Sequence, residues 1–441
     1  MDVTPAMGRT SLARIFASMG KVASGKAGAA LLSLAYLAIG TRTLGPENFG
    51  VLVLVHGYAV TVGGLFEFPA WQAIVRYGAE AEREGDHNRL SRLLRFSTRV
   101  ELSGGLAGLL AAALLAPLVG PQLGWSETAL AMALPYSFAV LGSMRAAPAG
   151  YLQLIDRFGL LGWHNLVAPG VRLVGAVMAA SLGLGLHAFL VVWLVAALAE
   201  CLSLWGMAWF LAQKRLGRTL LSPSPGNVVK ENSGLWSFVV ASNTDTKLSE
   251  LAGRATPLIV GAILGPAAAG LYAVAHRAGT VIAQPAQILG NTAYPELARM
   301  IASGQSGAPL RQTLTRVISL ATAACIPLVL IAWMASEQIV LLFAGKDFLD
   351  AAPLLAALVT ARAIAVGTKP CSAALTALGR PSWSAAVNLG LGLVFLPLLA
   401  VLLQRYELVG AGWQALLQAA TATATLMVLV RLRSRAAEQT P

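Results

Sequence analysis

The chain has 441 residues, of which 56% are hydrophobic and 12% charged, and its mean hydropathy is +0.68. Since a soluble domain carries roughly 25% charged residues, this composition excludes a water-soluble globule and indicates an all-α polytopic membrane protein. The net charge of +12 agrees with the basic cytoplasmic loops of such proteins, so we expect no nucleic-acid partner.

Apolar segments long enough to cross a bilayer follow one another along the whole chain. A spanning helix needs about 20 mostly apolar residues, and we predict twelve: 20–41, 50–74, 97–118, 127–149, 159–181, 186–212, 235–263, 268–292, 312–335, 350–376, 382–404 and 408–431. The polar stretch 213–234 separates the first six from the last six. We therefore predict an N-terminal six-helix bundle over 1–212, a cytoplasmic linker over 213–234, and a C-terminal six-helix bundle over 235–441.

The loops between these spans differ strongly in charge. About twenty Lys and Arg residues fall on one side, against only Arg42, Lys346 and Arg405 on the other. Because basic loops remain cytoplasmic, both termini are predicted to be cytoplasmic. All loops are short, which leaves no extramembrane domain for a soluble active site.

Two stretches, Leu44–Gly50 and Leu264–Gly270, share the frame Leu-Gly-Pro-x-x-x-Gly at an offset of 220 residues, and His56 and His276 have the same offset. Glycine suits the left-handed residue after a helix, and proline cannot continue the helix that it follows. Each stretch is thus predicted to be a tight turn between two helices. Repeats of six spans begin on the same side of the membrane, which predicts a pseudo-twofold axis along the membrane normal and a central cavity.

Span seven carries ionisable residues, which are costly in hydrocarbon and usually face a bundle interior or a watery cavity. At about 100° per residue, one face holds Asn243, Lys247, Glu250 and Arg254, and the opposite strip holds Asp245. We interpret the first group as the lining of a cationic cavity. The alternative is a structural i, i+4 ion pair between Glu250 and Arg254, and both can hold together.

Further candidates for the substrate cavity are Lys26, which the repeat places within one residue of Lys247, and Arg172, midway through span five. Proton or sodium coupling is the other role that charged spans suggest, because a buried carboxylate can titrate near neutrality. The candidates for coupling are Glu67 and His56, which share one face of span two. The matching His276 of span eight and Asp245 of span seven are further candidates. The alternatives are a carboxylate paired with a basic neighbour and a hydrogen-bonded structural histidine.

Motifs for catalysis are missing from the sequence. There is no phosphate-binding loop, no Gly-x-Ser-x-Gly and no His-Glu-x-x-His, so we expect no enzyme, no cofactor and no metal site. Transport would then be driven by an ion gradient or by the gradient of the substrate.

Thr41–Gly50 resembles the stretch after the first span of Wzx-type polysaccharide flippases, which belong to the multidrug/oligosaccharidyl-lipid/polysaccharide exporter superfamily. Gly270–Arg277 is similar to the Gly-Leu-Tyr-x-x-Ala-x-Arg segment of that family, Ala293–Pro295 to its Phe/Tyr-Pro, and Leu342–Phe348 to the segment before span ten. Ala344 departs from the family pattern and leaves the register there open.

The resemblance implies a flippase that moves a lipid-linked oligosaccharide, typically on undecaprenyl diphosphate, across the bacterial inner membrane for lipopolysaccharide or exopolysaccharide biosynthesis. It also implies alternating access by rocking of the two halves, contact with membrane lipid, and a polysaccharide polymerase and export proteins as partners. Arg277 matches a family position and joins the cavity candidates. A cationic cavity suits a diphosphate, because Arg and Lys pair with phosphate.

Four other functions fit the sequence less well. A multidrug exporter shares the architecture but needs an acidic cavity for cationic drugs, whereas the candidate cavity here is basic. A peptidoglycan lipid-precursor flippase usually has fourteen spans. A membrane enzyme such as a glycan polymerase needs a sizeable outer loop, and a non-transporting scaffold has no use for buried charges.

Overall fold

In a computed structural model the chain is almost entirely helical. The structure describes the backbone of residues 6–68, 70–220, 226–302, 307–378 and 380–438. Within these ranges it does not describe the side chains of residues 6–19, 21, 128, 218, 237, 239–252, 285–302, 377, 381 and 435–438.

Nine helices cover the described part of the chain before residue 232: α1 Ala6–Phe66, α2 Trp71–Glu84, α3 His87–Val119, α4 Glu127–Tyr136, α5 Ala146–Leu154, α6 Phe158–His164, α7 Val167–Ser181, α8 Leu186–Leu216 and α9 Val228–Glu231. Seven follow in the described remainder: α10 Leu235–Leu264, α11 Pro266–Ala302, α12 Ala308–Met334, α13 Ser336–Phe343, α14 Ala352–Ala365, α15 Thr368–Ala377 and α16 Pro381–Glu438. Each of the twelve predicted spans falls largely on helical chain. Seven described helical segments are long and apolar enough to cross a membrane, and two of these, Val22–Phe66 and Ser382–Ser434, each cover most of two predicted spans.

The two Leu-Gly-Pro stretches are tight breaks between helices, as predicted. Gly45 has a φ of 69° where the first two predicted spans meet within α1, and Gly265 has a φ of 87° between α10 and α11. Only glycine adopts such angles without steric cost. A third break lies at Glu407, with a φ of 50°, and it separates the last two predicted spans within α16.

The same two turns pack closely against each other. A Cβ atom on Gly50 would lie 1.8 Å from the carbonyl oxygen of Pro266, and one on Gly270 would lie 2.8 Å from that of Pro46. Real Cβ atoms essentially never approach a neighbour so closely. The glycine that ends each Leu-Gly-Pro frame is therefore required by this contact.

The chain divides into two compact units. The first consists of Met1–Thr43 and Val55–Lys247, and the second of Leu44–Leu54 and Leu248–Pro441. The predicted bundles at 1–212 and 235–441, and the cytoplasmic position of the termini, remain predictions about the arrangement in the membrane.

The core of the first unit joins α2, α3, α5 and α8 through side chains that are at most 2% exposed, among them Ile74, Leu90, Leu152 and Leu204. Helix α2 corrects the predicted second span, which was extended to residue 74, because α1 ends at Phe66 and a separate helix begins at Trp71. The sequence Phe68-Pro69 lies at this break, and a proline disfavours helical backbone in the residue before it. In the second unit, α12, α15 and α16 share a core that includes Leu310, Leu375 and Leu426.

Helix α3 has an exposed apolar face that suits contact with lipid and a buried face of small residues. Its outward stripe repeats every fourth residue with leucines that are 47–74% exposed, namely Leu102, Leu106, Leu110, Leu114 and Leu118. Its buried face consists largely of glycine and alanine: Gly104, Gly105, Gly108, Ala112 and Ala116. A helix that is more apolar outside than inside suits a bilayer, where small residues let helices approach closely.

Candidate functional site

Arg172, on α7, is a partly buried cation in the first unit. Its Nη2 lies 3.1 Å from Nε2 of His56, and its Nη1 donates to the hydroxyl of Tyr36 at 3.4 Å. None of the ion pairs formed by the described residues includes it. Its Nε is enclosed and has no hydrogen-bond partner among those residues. No described carboxylate pairs with the guanidinium, and one of its donors has no partner among the described residues.

Aromatic rings surround this guanidinium. Its carbon lies 5.7 Å from the ring centroid of Tyr36 and 5.3 Å from that of Trp193. The two rings contact each other edge to face, with centroids 5.3 Å apart. Ring faces attract a cation through their quadrupole. They hold the charge in place without neutralising it, whereas a carboxylate would neutralise it.

The hydrogen bonds of His56 define its tautomer. An arginine can only donate, so Nε2 of His56 must accept from Arg172. The ring proton then lies on Nδ1, which donates to the hydroxyl oxygen of Tyr136 at 2.8 Å. His56 is thus neutral while Arg172 is bound to it. We call these five side chains the Arg172 cluster: Tyr36, His56, Tyr136, Arg172 and Trp193.

A buried carboxylate forms a second polar centre in the first unit. Glu101 on α3 is 2% exposed, and its oxygens accept from the backbone N–H groups of Ala146 at 2.6 Å and Ala147 at 2.7 Å. These groups begin α5, where the helix dipole favours a negative charge. Glu67 follows the end of α1 and interacts electrostatically with Glu101. Close by, Arg145 forms an ion pair with Glu200.

In the second unit, His276 on α11 stacks on Tyr272, with ring centroids 5.7 Å apart. Both Arg277 and Arg362 interact electrostatically with His276. The two histidines that the repeat relates therefore each have a tyrosine and an arginine nearby. The contacts themselves differ, because His56 is hydrogen-bonded to its tyrosine and His276 is stacked.

The structure brings some predicted residues together and leaves others apart. His56 contacts Arg172, and Arg277 interacts electrostatically with His276, its neighbour in the chain, whereas Lys26 is exposed on α1 and belongs to neither group. Arg254 is partly buried on α10. The remaining candidates on α10 lie outside the described side chains: Asn243, Asp245, Lys247 and Glu250.

Four residues of these centres were missed from the sequence: Tyr36, Tyr136, Trp193 and Glu101. Tyrosine and tryptophan of membrane proteins are enriched at the membrane surface, so Tyr136 in the middle of span four was an available signal. Glu101 was a second one, because it is the only acid in the stretch 97–118.

Comparison with known proteins identifies the family. The sequence pattern of a family described as "Polysaccharide biosynthesis protein" matches residues 39–353. The chain belongs to this family. A relative of the chain, "Inner membrane protein YghQ" of Escherichia coli (strain K12), is 27% identical over 274 residues, which are 62% of this chain and 76% of the relative.

Solved structures similar to the chain show its fold. An inward-facing multidrug resistance MATE family transporter of the MOP superfamily matches with a TM-score of 0.63 at 16% identity, over 95% of this chain and 94% of the other. A MOP superfamily transporter from Pyrococcus furiosus, described as having a binding pocket of reverse polarity, matches with a TM-score of 0.62 at 15% identity, over 97% and 96%. The predicted all-α fold of a polytopic membrane protein is confirmed.

Proposed function

We propose that this protein is a flippase that moves a lipid-linked oligosaccharide of the undecaprenyl-diphosphate type across the bacterial inner membrane by alternating access. The family description supports a role in polysaccharide biosynthesis, and the relative from Escherichia coli supports the inner membrane. The similar solved structures are transporters. Lipopolysaccharide or exopolysaccharide is the proposed product, and a polysaccharide polymerase and export proteins are the proposed partners.

The observation that carries this proposal is the uncompensated charge of Arg172. A buried cation without a carboxylate is costly, and an anionic ligand offsets that cost. Guanidinium is well suited to phosphate, because its planar fork donates two parallel hydrogen bonds. The diphosphate of a lipid-linked sugar supplies this anion within the membrane. Arg254 and Arg277 of the second unit, also partly buried, remain candidates for substrate binding.

Proton coupling is proposed to act through His56. If Nε2 of His56 takes a proton, it can no longer accept from Arg172, and two cations then lie about 3.1 Å apart. An anion at Arg172 stabilises the protonated histidine, so that proton binding and diphosphate binding favour each other reciprocally. The groups facing His56 are Arg172 and the Tyr136 hydroxyl. Glu67, Asp245 and His276 remain candidates for the same role.

The proposal is tested with the purified protein in vesicles that contain fluorescent undecaprenyl-diphosphate sugar. We expect Arg172→Ala to slow translocation roughly 10- to 100-fold, since a hydrogen bond to a charged group contributes about 1.5–3 kcal/mol. Arg157→Ala, which removes an exposed charge of the same unit, serves as the control and should transport normally. Transport at the normal rate by a folded Arg172→Ala protein would exclude this residue from substrate binding.

An ion-coupled multidrug exporter is the second candidate, because the similar structures include a multidrug resistance transporter. The charge of Arg172 disfavours a cationic drug at that site. Ethidium export by the same vesicles separates the two functions: we expect none, and export that increases in Arg172→Ala would favour the drug exporter. Peptidoglycan lipid precursor added to the same vesicles tests the third candidate, the precursor flippase.

A further inference from the structure

A crevice of about 230 Å³ opens between α3, α5 and α8 in the first unit. Its walls are mainly apolar and include Leu94, Ala147, Ala208 and Ala212. The neighbouring parts of α3 and α8 expose large apolar side chains, with Leu102 at 47% and Phe210 at 68%. The crevice thus belongs to the face of this unit that meets lipid, and it is separate from the Arg172 cluster, whose residues do not line it.

Two arginines one helical turn apart stand in the wall of this crevice. Arg95 and Arg99 both belong to α3, and Arg99 is exposed. None of the ion pairs among the described residues includes Arg99. The crevice lies at the end of the unit where α8 finishes with Lys214 and Arg215. By the distribution of basic loops, this is the cytoplasmic end.

The wall of the crevice also presents polar and aromatic groups. Tyr151 of α5 is 2% exposed, and its hydroxyl has no hydrogen-bond partner among the described residues. The indole N–H of Trp205 is already used by the Met144 carbonyl at 2.8 Å, so its ring contributes an apolar surface. A ligand here would meet a buried hydroxyl donor within an apolar wall and two cations along one edge.

We propose that this crevice binds an anionic phospholipid of the cytoplasmic leaflet. The lipid phosphate pairs with Arg95 and Arg99, one acyl chain lies along the alanine-lined wall, and a glycerol ester oxygen accepts from the Tyr151 hydroxyl. Charge selects phosphatidylglycerol over a zwitterionic lipid, because basic pockets on the cytoplasmic side attract anionic headgroups. The crevice is smaller than the pockets of about 300–1,000 Å³ that enclose a drug-sized ligand, which suits one chain of a lipid that otherwise remains in the bilayer.

Native mass spectrometry of the full-length protein measures this binding. The protein is mixed with equal amounts of phosphatidylglycerol and phosphatidylethanolamine that have the same acyl chains, and the retained lipid is counted. The wild type should retain mainly phosphatidylglycerol, and Arg95→Gln/Arg99→Gln should lose this preference by roughly 10-fold or more, given the contribution of each basic residue to anionic lipid binding. The control, Arg83→Gln/Lys214→Gln, removes two exposed charges outside the crevice and should keep the preference.

A second pair of variants tests the acyl chain without changing charge. Ala212→Phe fills the crevice and leaves both arginines in place, so the preference for phosphatidylglycerol should fall. Ala208→Leu is a smaller change of the same kind if the phenylalanine prevents folding. Thermal unfolding of each variant in detergent confirms that the protein is folded.

Three results would overturn the proposal. The first is an equal loss in the control variant, which would indicate general attraction of anionic lipid. The second is an unchanged preference in Arg95→Gln/Arg99→Gln or in both cavity-filling variants. The third is displacement of phosphatidylglycerol by a stoichiometric amount of undecaprenyl phosphate, because the crevice would then hold the carrier lipid of the substrate.

Discussion

Arg172 is held by contacts that stabilise its charge without neutralising it. Two aromatic faces and one neutral histidine surround it, and its Nε has no partner among the described residues. A structural arginine in a membrane bundle normally pairs with a carboxylate or with backbone carbonyls. Arg145, which forms an ion pair with Glu200, illustrates that structural arrangement in the same unit.

His56→Gln separates the hydrogen bond of this histidine from its ability to bind a proton. The glutamine carbonyl can still accept from Arg172, but it does not titrate. We therefore expect transport in vesicles to persist but to lose its dependence on a proton gradient. His187→Gln, which changes an exposed histidine, should leave both properties unchanged. If transport by the His56→Gln protein still depended on the proton gradient, another residue would carry the coupling.

Glu101→Ala tests a residue whose role is structural. It leaves the buried N–H groups of Ala146 and Ala147 without their acceptor, at a cost of about 1–3 kcal/mol for each unsatisfied group. We expect a lower melting temperature of the purified protein. Glu101→Gln should show a smaller loss, since its amide keeps one acceptor oxygen. Glu127→Ala, at an exposed position, should change stability little, and an equal effect there would contradict the assignment.

At the scale of helices, the sequence predicted where helices lie better than where they are interrupted. Spans were found because a bilayer requires about 20 apolar residues whatever the partners, and the turns at Gly45 and Gly265 were found because positive φ is a local property of glycine. The 3-10 stretch Ser137–Ser143 between α4 and α5 was missed, because its conformation depends on packing against α3 and α8 rather than on a local preference.

The Arg172 cluster could be predicted only in part for the same reason. Arg172 and His56 were predicted as site residues because each is a polar residue in an apolar span. Tyr136 lies 80 residues after His56 and 36 residues before Arg172. Only the packing of α1, α4 and α7 brings the three side chains together.

Gly50→Ala tests the close contact between the two Leu-Gly-Pro turns. The added methyl would overlap the carbonyl oxygen of Pro266, and the backbone of one helix would have to move. Overpacking of this kind costs about 1–3 kcal/mol, so the melting temperature and the yield of folded protein should fall. Gly206→Ala is the matched control, because nothing lies within 4 Å of a Cβ atom there. Similar behaviour of the two variants would show that the turns do not pack so closely.

For the whole molecule, the charge bias of the loops predicts an orientation that labelling can measure. Asn88 lies near the basic end of α3 and Glu47 lies in the first Leu-Gly-Pro turn, and both are exposed. We expect Asn88→Cys to react with a membrane-impermeant maleimide only after the cells are opened, and Glu47→Cys to react in intact cells. The native cysteines Cys201, Cys325 and Cys371 are buried and should give a low background. The reverse pattern would invert the predicted topology.

The packing of the two turns is reciprocal. Gly50 faces the carbonyl oxygen of Pro266 and Gly270 faces that of Pro46, and an offset of 220 positions relates the two glycines and the two prolines. Two equivalent residues that each contact the other's neighbour form the pattern of an isologous interface. A side chain added at either glycine would therefore disturb this one contact from opposite sides.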